Sequence, residues 1–154
     1  MDYKSGILKI NLIKIKKIMS LTKIYSSELQ EIYVDENKSL LKNIWLTTNI
    51  SFDDMKKEMA NAMDKFNEYN PKYMLTDNSL GQIVAPKVQE WVINFLFPTV
   101  VEKGVLKYAI ILSDEIFSEV SVEQMFDEEK DIPNDEFQQL FFKEENQAIE
   151  WLSH

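Results

Sequence analysis

The sequence predicts a mixed α/β fold: a sheet of about four to five strands that opens on an N-terminal antiparallel hairpin and continues through parallel crossovers, with about four helices. Three observations predict it. Short apolar runs alternate with stretches whose apolar residues recur every three or four positions, as strands joined by amphipathic helices do. A polar cluster, Asp35-Glu36-Asn37-Lys38, separates the first two strand-like runs and suits a hairpin turn. A length of 154 residues, with 45% apolar and 28% charged, fits one globular core and excludes collagen-like, coiled-coil and disordered classes.

The elements follow in order. Ile24 to Thr48 reads as an antiparallel pair, with Ile32 and Val34 before the turn and Leu40, Leu41, Ile44 and Leu46 after it. A helix follows, because Ser51 and Asp54 have capping-box spacing and Phe52, Met55, Met59, Ala62, Met63, Phe66 and Tyr69 share a stripe that Pro71 stops. Its methionines read as core filling rather than as an adaptable binding surface. Tyr73 to Leu75 is a short buried strand running into the loop Thr76-Asp77-Asn78-Ser79. A second helix starts near Pro86, since a proline at a first helical turn removes an N–H that has no partner there. Val88, Trp91, Val92, Phe95 and Leu96 continue its stripe, Pro98 is expected to kink or end it, and Gly104 to terminate the segment.

Lys107 to Leu112 is a buried strand opening onto Ser113-Asp114. A helix is expected over about Val120 to Glu129, where Ser121 and Gln124 repeat the capping spacing, with a break at Pro133. Phe137 to Phe142 supplies the last strand and Asn146 to Leu152 a terminal helix with Ala148, Ile149 and Leu152 inward.

Several chemistries lack their residues. The sequence has no cysteine and only one histidine, His154, so thiol, zinc-finger, disulfide and His-dependent triad readings fail, and residence in the cytoplasm is expected. All seventeen basic residues are lysines, which removes the bidentate guanidinium fork that reads guanine or clamps phosphate. The net charge is −9, and from Asp114 to His154 thirteen acidic residues face two lysines. That segment repels a phosphate backbone, so nucleic acid is not an expected partner; it reads as a solvated face, with an acidic docking surface as the alternative. No metal site, cofactor or catalytic residue is expected.

Residues 1–18 run the other way, with Lys4, Lys9, Lys14, Lys16 and Lys17 against Asp2 alone. The lysines interrupt the apolar set Ile7, Leu8, Ile10, Leu12, Ile13, Ile15 and Ile18, so no membrane span is expected, and they fall on both sides of a helical wheel. This segment reads as a basic arm, either loosely packed, or an extension ahead of a true start at Met19, or an arm that binds a membrane surface or a partner. Residues 19–154 form the single α/β domain.

The order of elements resembles the STAS, or SpoIIAA-like, domains, above all their small stand-alone bacterial versions, over about Leu21 to Leu152. The residues that carry it are Ile44-Trp45, Tyr73 to Asp77, Ala85-Pro86 with Gln89-Glu90-Trp91, Phe97-Pro98, Gly104 to Ala109, Phe117 to Val122 and Asn146 to Leu152. The resemblance implies a non-enzymatic regulatory module that binds protein partners, switched by a phosphate on a serine near the start of the helix after the central strand. The matching stretch here, Ile83-Val84-Ala85-Pro86-Lys87, holds no hydroxyl, and the nearest is Ser79.

Two groups of residues remain as candidate sites. Asp77, Ser113 or Asp114, and Lys143 stand near the carboxyl ends of strands, where open α/β sheets place ligands. Asp77 is the candidate for a weak receiver-like phosphoacceptor, although the acidic pair that would hold magnesium is missing; otherwise Asp77 and Asp114 serve as turn and cap groups, and Ser79 is a further loop candidate. The second group is Pro86, Trp91, Phe95, Phe97 and Pro98 on a helix apolar over more than one face. Either both sides are core, or one side meets a protein partner or a second copy in a homodimer, or lines a site for an apolar small molecule or lipid.

Overall fold

Asp35 ends one strand and turns the chain into the next: its carboxylate accepts the Lys38 N–H at 3.2 Å, and Ser39 takes a φ of 53° that lets Leu40 restart extended backbone. The computed structural model describes residues 20–81, 86–119 and 136–154. Thr22–Ser26 (β1), Gln30–Asp35 (β2) and Leu40–Trp45 (β3) form an antiparallel meander, and Tyr73–Asn78 (β4), Lys107–Leu112 (β5) and Gln138–Phe142 (β6) continue from β3 in parallel. The spatial order is β1-β2-β3-β4-β5-β6.

The sheet therefore has the expected mixed character but six strands instead of four to five. The extra strand is β1, whose register shifts between Lys23 and Tyr25. That bulge places Ile24 and Tyr25 together against the core, which breaks the alternation by which a strand is recognised.

The first helix, Phe52–Tyr69 (α1), begins where Ser51 Oγ accepts the Asp54 N–H at 3.1 Å, as the capping spacing predicts. It ends at Asn70, left-handed at φ 47°, whose N–H donates to the Phe66 carbonyl at 2.7 Å. Met55, Met59, Ala62 and Phe66 form its buried stripe.

The second helical segment starts at Pro86 and does not stop at Pro98. Pro86–Trp91 (α2) runs into one π turn, Val92–Leu96, and on through Phe97–Glu102 (α3). Proline removes an N–H and crowds the turn before it; here that turn is widened, with the Phe97 N–H donating to the Val92 carbonyl five residues back. Thr99 Oγ1 donates to the Phe95 carbonyl at 2.6 Å and supplies a donor close to the interruption. The rod then closes on a Schellman turn. Gly104, at φ 97°, donates to the Val101 carbonyl and Val105 to the Val100 carbonyl, both at 3.0 Å.

A short helix, Asp114–Glu119 (α4), follows β5 directly, and the last helix is Glu145–Leu152 (α5), with Ala148 and Leu152 buried. The expected helix over Val120 to Glu129, the break at Pro133 and the arm 1–18 lie outside the described residues. Among the described residues, no helix is long and apolar enough to cross a membrane.

Two buried clusters lie on opposite faces of the sheet. Ile32, Leu41, Met74 and Tyr108 pack under α1 and the π-α3 rod with Met59, Phe66, Phe97 and Val100. Leu40, Leu75, Ala109 and Ile111 pack under α5 with Ala148 and Leu152. Parallel strands added in one direction through right-handed crossovers put their connecting helices on a single face, which leaves α5 to cover the other.

Candidate functional site

The strand ends are built as turns and caps. Asp77 closes β4, and its Oδ1 accepts the Ser79 N–H at 2.9 Å in an Asx turn. Ser113 caps α4, its Oγ accepting the Ile116 N–H at 3.3 Å, while Asp114 is an exposed residue of the first turn. Lys143 lies over the Phe117 ring, 5.1 Å from its centre. Of the acidic and hydroxyl residues expected there, the structure joins Asp77 to Ser79. Among the described residues, no hydrogen bond or ion pair links Asp77, Asp114 and Lys143, and no group of three or more His, Asp or Glu side chains is placed to hold a metal ion.

The aromatic group divides. Trp91 and Phe95, four positions apart, stack with ring centres 5.4 Å apart and planes at 27°. Phe95 is 55% exposed and Trp91 half-buried against the core edge. Phe97, expected with them, instead turns inward: it meets Tyr108 edge-on at 5.8 Å and Phe137 at 6.2 Å. Pro86 is exposed at the start of the helix and Pro98 half-buried. The π turn explains the division, because an extra residue in one turn advances the phase of everything after it, so Phe95 faces out while Leu96, Phe97, Val100 and Val101 are buried.

A third feature has no counterpart among the expected site residues. Under α1, a chain of polar side chains crosses the sheet. Asn61 Nδ2 donates to Tyr25 Oη at 3.0 Å, and Tyr25 Oη donates to Glu58 Oε2 at 3.0 Å. Gln30 Nε2 donates to the Glu58 carboxylate and carbonyl, both at 2.8 Å, and its Oε1 accepts from Asn43 Nδ2 at 3.5 Å. Thr76 Oγ1 donates to Asn43 Oδ1 at 2.6 Å and meets Tyr108 Oη at 2.6 Å. Tyr108 pairs in register with Gln139, a buried residue whose Nε2 has no partner among the described residues.

Gln30, Asn43, Glu58, Thr76 and Tyr108 are all buried. Burial pushes the Tyr108 phenol up to about 12. The signal for this chain in the sequence is faint: Gln30, Asn43 and Thr76 each sit two positions from an apolar residue of the same buried face, Ile32, Leu41 and Met74.

At the opposite, amino end of the parallel strands, Val34, Glu36, Ser39, Glu68, Tyr69 and Pro71 line an open groove of about 440 Å³. It is shallow and lacks the enclosing apolar wall of a small-molecule site.

The fold and these features define a mixed α/β protein that carries a stacked aromatic pair, Trp91 half-buried and Phe95 exposed. No family model matches the chain, and neither the curated proteins nor the solved structures yield a match.

Proposed function

We propose that this chain is a non-enzymatic, STAS-like regulatory module that acts in the cytoplasm by docking another protein chain through Trp91 and Phe95. One observation carries the reading: the stacked pair stands just ahead of the buried Leu96 and Phe97, and Phe95 is more than half exposed. A large aromatic held rigid by a stacked neighbour loses little side-chain freedom on binding, which is why such residues anchor interfaces. The resemblance in element order to SpoIIAA-like domains supports the same assignment. The carboxylates at the strand ends support it as well, because Asp77 is committed to the Ser79 amide and Asp114 opens a helix.

Native mass spectrometry of gently purified protein, beside the Phe95→Ser variant, tests the reading. A dimer or a protein complex that dissociates in the variant is the expected result. A small apolar molecule travelling with both proteins would replace protein docking by ligand carriage, and a bare monomer in both would reject the aromatic pair as an interface.

A further inference from the structure

The sheet ends in two unlike edges. At β1 the register breaks between Lys23 and Tyr25, Thr22, Lys23 and Ser26 are exposed, and the Lys23 ammonium is held 3.0 Å from Glu31. A bulge and a lysine are devices by which edge strands resist pairing with another chain. β6 has neither. Its register with β5 runs unbroken, the strand holds no lysine or proline, and Leu140, Phe141 and Phe142 are half-buried. Among the described residues, no strand pairs with its outer side.

The strand is firmly seated. Phe137, just before it, meets Phe97 with ring centres 6.2 Å apart, and Phe142 at its end meets Trp151 at 5.6 Å. The Gln138 N–H donates to the Leu106 carbonyl at 2.9 Å, and backbone groups alternate in direction along a strand, so the N–H and C=O of Gln139 and Phe141 point away from β5. Gln139 carries a second unmet demand. It pairs in register with Tyr108 and is 5% exposed, yet its Nε2 has no partner among the described residues. A buried donor left unpaired is costly, and here it stands on the strand whose outer backbone groups are also unpaired.

We propose that β6 is the contact of a homodimer, in which two copies pair this strand antiparallel about a two-fold axis through Gln139 and join their sheets into one. In that register Gln139 of one copy faces Gln139 of the other, and the two exchange their outward N–H and C=O groups, with Cα atoms about 5.5 Å apart. Both side-chain amides lie on the same face, so each Nε2 donates to the other's Oε1. The unpaired donor is thus met by a copy of its own residue, and this self-complementarity selects a second copy over an unrelated chain. The contact is narrow and the dimer weak, and each copy carries a net charge of −9, so added salt strengthens it. This inference does not rest on the docking role of Trp91 and Phe95, and its dimer survives Phe95→Ser.

Sedimentation of the full chain over micromolar to millimolar concentrations, at low and high salt, tests it together with disulfide trapping. The chain has no cysteine, so an introduced thiol is its only one. Expected are a dimer that tightens with salt, a loss of about tenfold in its affinity in Gln139→Leu, and an oxidised symmetric dimer from Gln139→Cys, whose Cα separation lies inside the disulfide range of about 4.4–6.8 Å. Thr22→Cys, on the opposite edge, should stay monomeric under the same oxidant. Should Gln139→Leu fail to fold, the cysteine trap decides alone. A monomer at every concentration, a dimer equally tight in a folded Gln139→Leu protein, or trapping through Thr22→Cys and not Gln139→Cys would overturn the proposal. Self-association lost in Phe95→Ser but unchanged in Gln139→Leu would overturn it as well, and would assign the contact to the aromatic pair.

Discussion

The Thr76 hydroxyl lies 2.6 Å from the Tyr108 phenol and 2.6 Å from Asn43 Oδ1, and a threonine has one proton to give. Asn43 Oδ1 can only accept, so Thr76 donates to it and Tyr108 donates to Thr76. One hydroxyl thus joins three strands beneath the helix layer. Thr76→Val keeps the shape of the side chain but strands two buried polar groups, at an expected cost of about 2–3 kcal/mol in urea unfolding. Tyr108→Phe removes only the outer donor and leaves the Thr76–Asn43 bond, so its cost is about 1 kcal/mol. Equal losses in the two variants would contradict this order of donors.

Tyr108 also sets a limit on stability in alkali. Its phenol is raised by burial from an ordinary value of 10 to about 12, so the folded protein holds a proton that the unfolded chain releases. Stability from this group is complete below pH 10 and falls as pH climbs from 10 to 12, by about 2–3 kcal/mol over the two units. Urea midpoints measured across that range check it, because the Tyr108→Phe protein lacks this part of the slope while its other tyrosines and lysines titrate as before.

How much of this was legible in the sequence follows from what each pattern averages over. Strands Lys107–Leu112 and Leu40–Trp45 and helix Phe52–Tyr69 were readable because apolar runs, a capping serine and a closing Pro71 agreed. β1 was hidden by its bulge, which sets Ile24 and Tyr25 side by side. Pro98 read as a kink or an end because periodicity carries no sign of a widened turn, although the shift from Trp91 and Phe95 to Phe97, Val100 and Val101 is the trace that turn leaves. The polar chain was least visible: Gln30, Asn43 and Thr76 at alternate strand positions look solvent-facing until partners from other strands are known. Of the site residues, Phe95 and Phe97 read as members of one apolar group, and periodicity alone did not tell the outward ring from the inward one.

Phe95 and Phe97 form a natural control for each other, being the same residue type two positions apart on one rod. Phe97 is 7% exposed and wedged between Tyr108 and Phe137, so Phe97→Ala should cost about 3–5 kcal/mol. Phe95→Ser replaces a side chain that is 55% exposed and should stay within about 0.5–1 kcal/mol of the parent. Denaturant midpoints of the two variants measure the contrast. Comparable losses would mean that Phe95 is a core residue and that the docking role has no basis.

Gly104 separates backbone strain from steric crowding. A methyl group added there meets nothing within 4 Å, yet the residue sits at φ 97°, where a β-carbon collides with its own carbonyl. Gly104→Ala should therefore lower stability by about 1–2 kcal/mol through the backbone alone. Gly81 is the reverse case. Its φ is not in the left-handed range, but a β-carbon would stand 2.3 Å from Asn78 Oδ1, the end of a side chain that can swing away. The double change Gly81→Ala with Asn78→Ala should recover what Gly81→Ala loses, because the obstacle goes with the amide. No second substitution near Gly104 can do the same for Gly104→Ala, since its cost lies within residue 104 itself. Melting temperatures of the three variants distinguish the cases, and rescue at Gly104 by trimming a neighbour would show that the Schellman turn carries less strain than its φ implies.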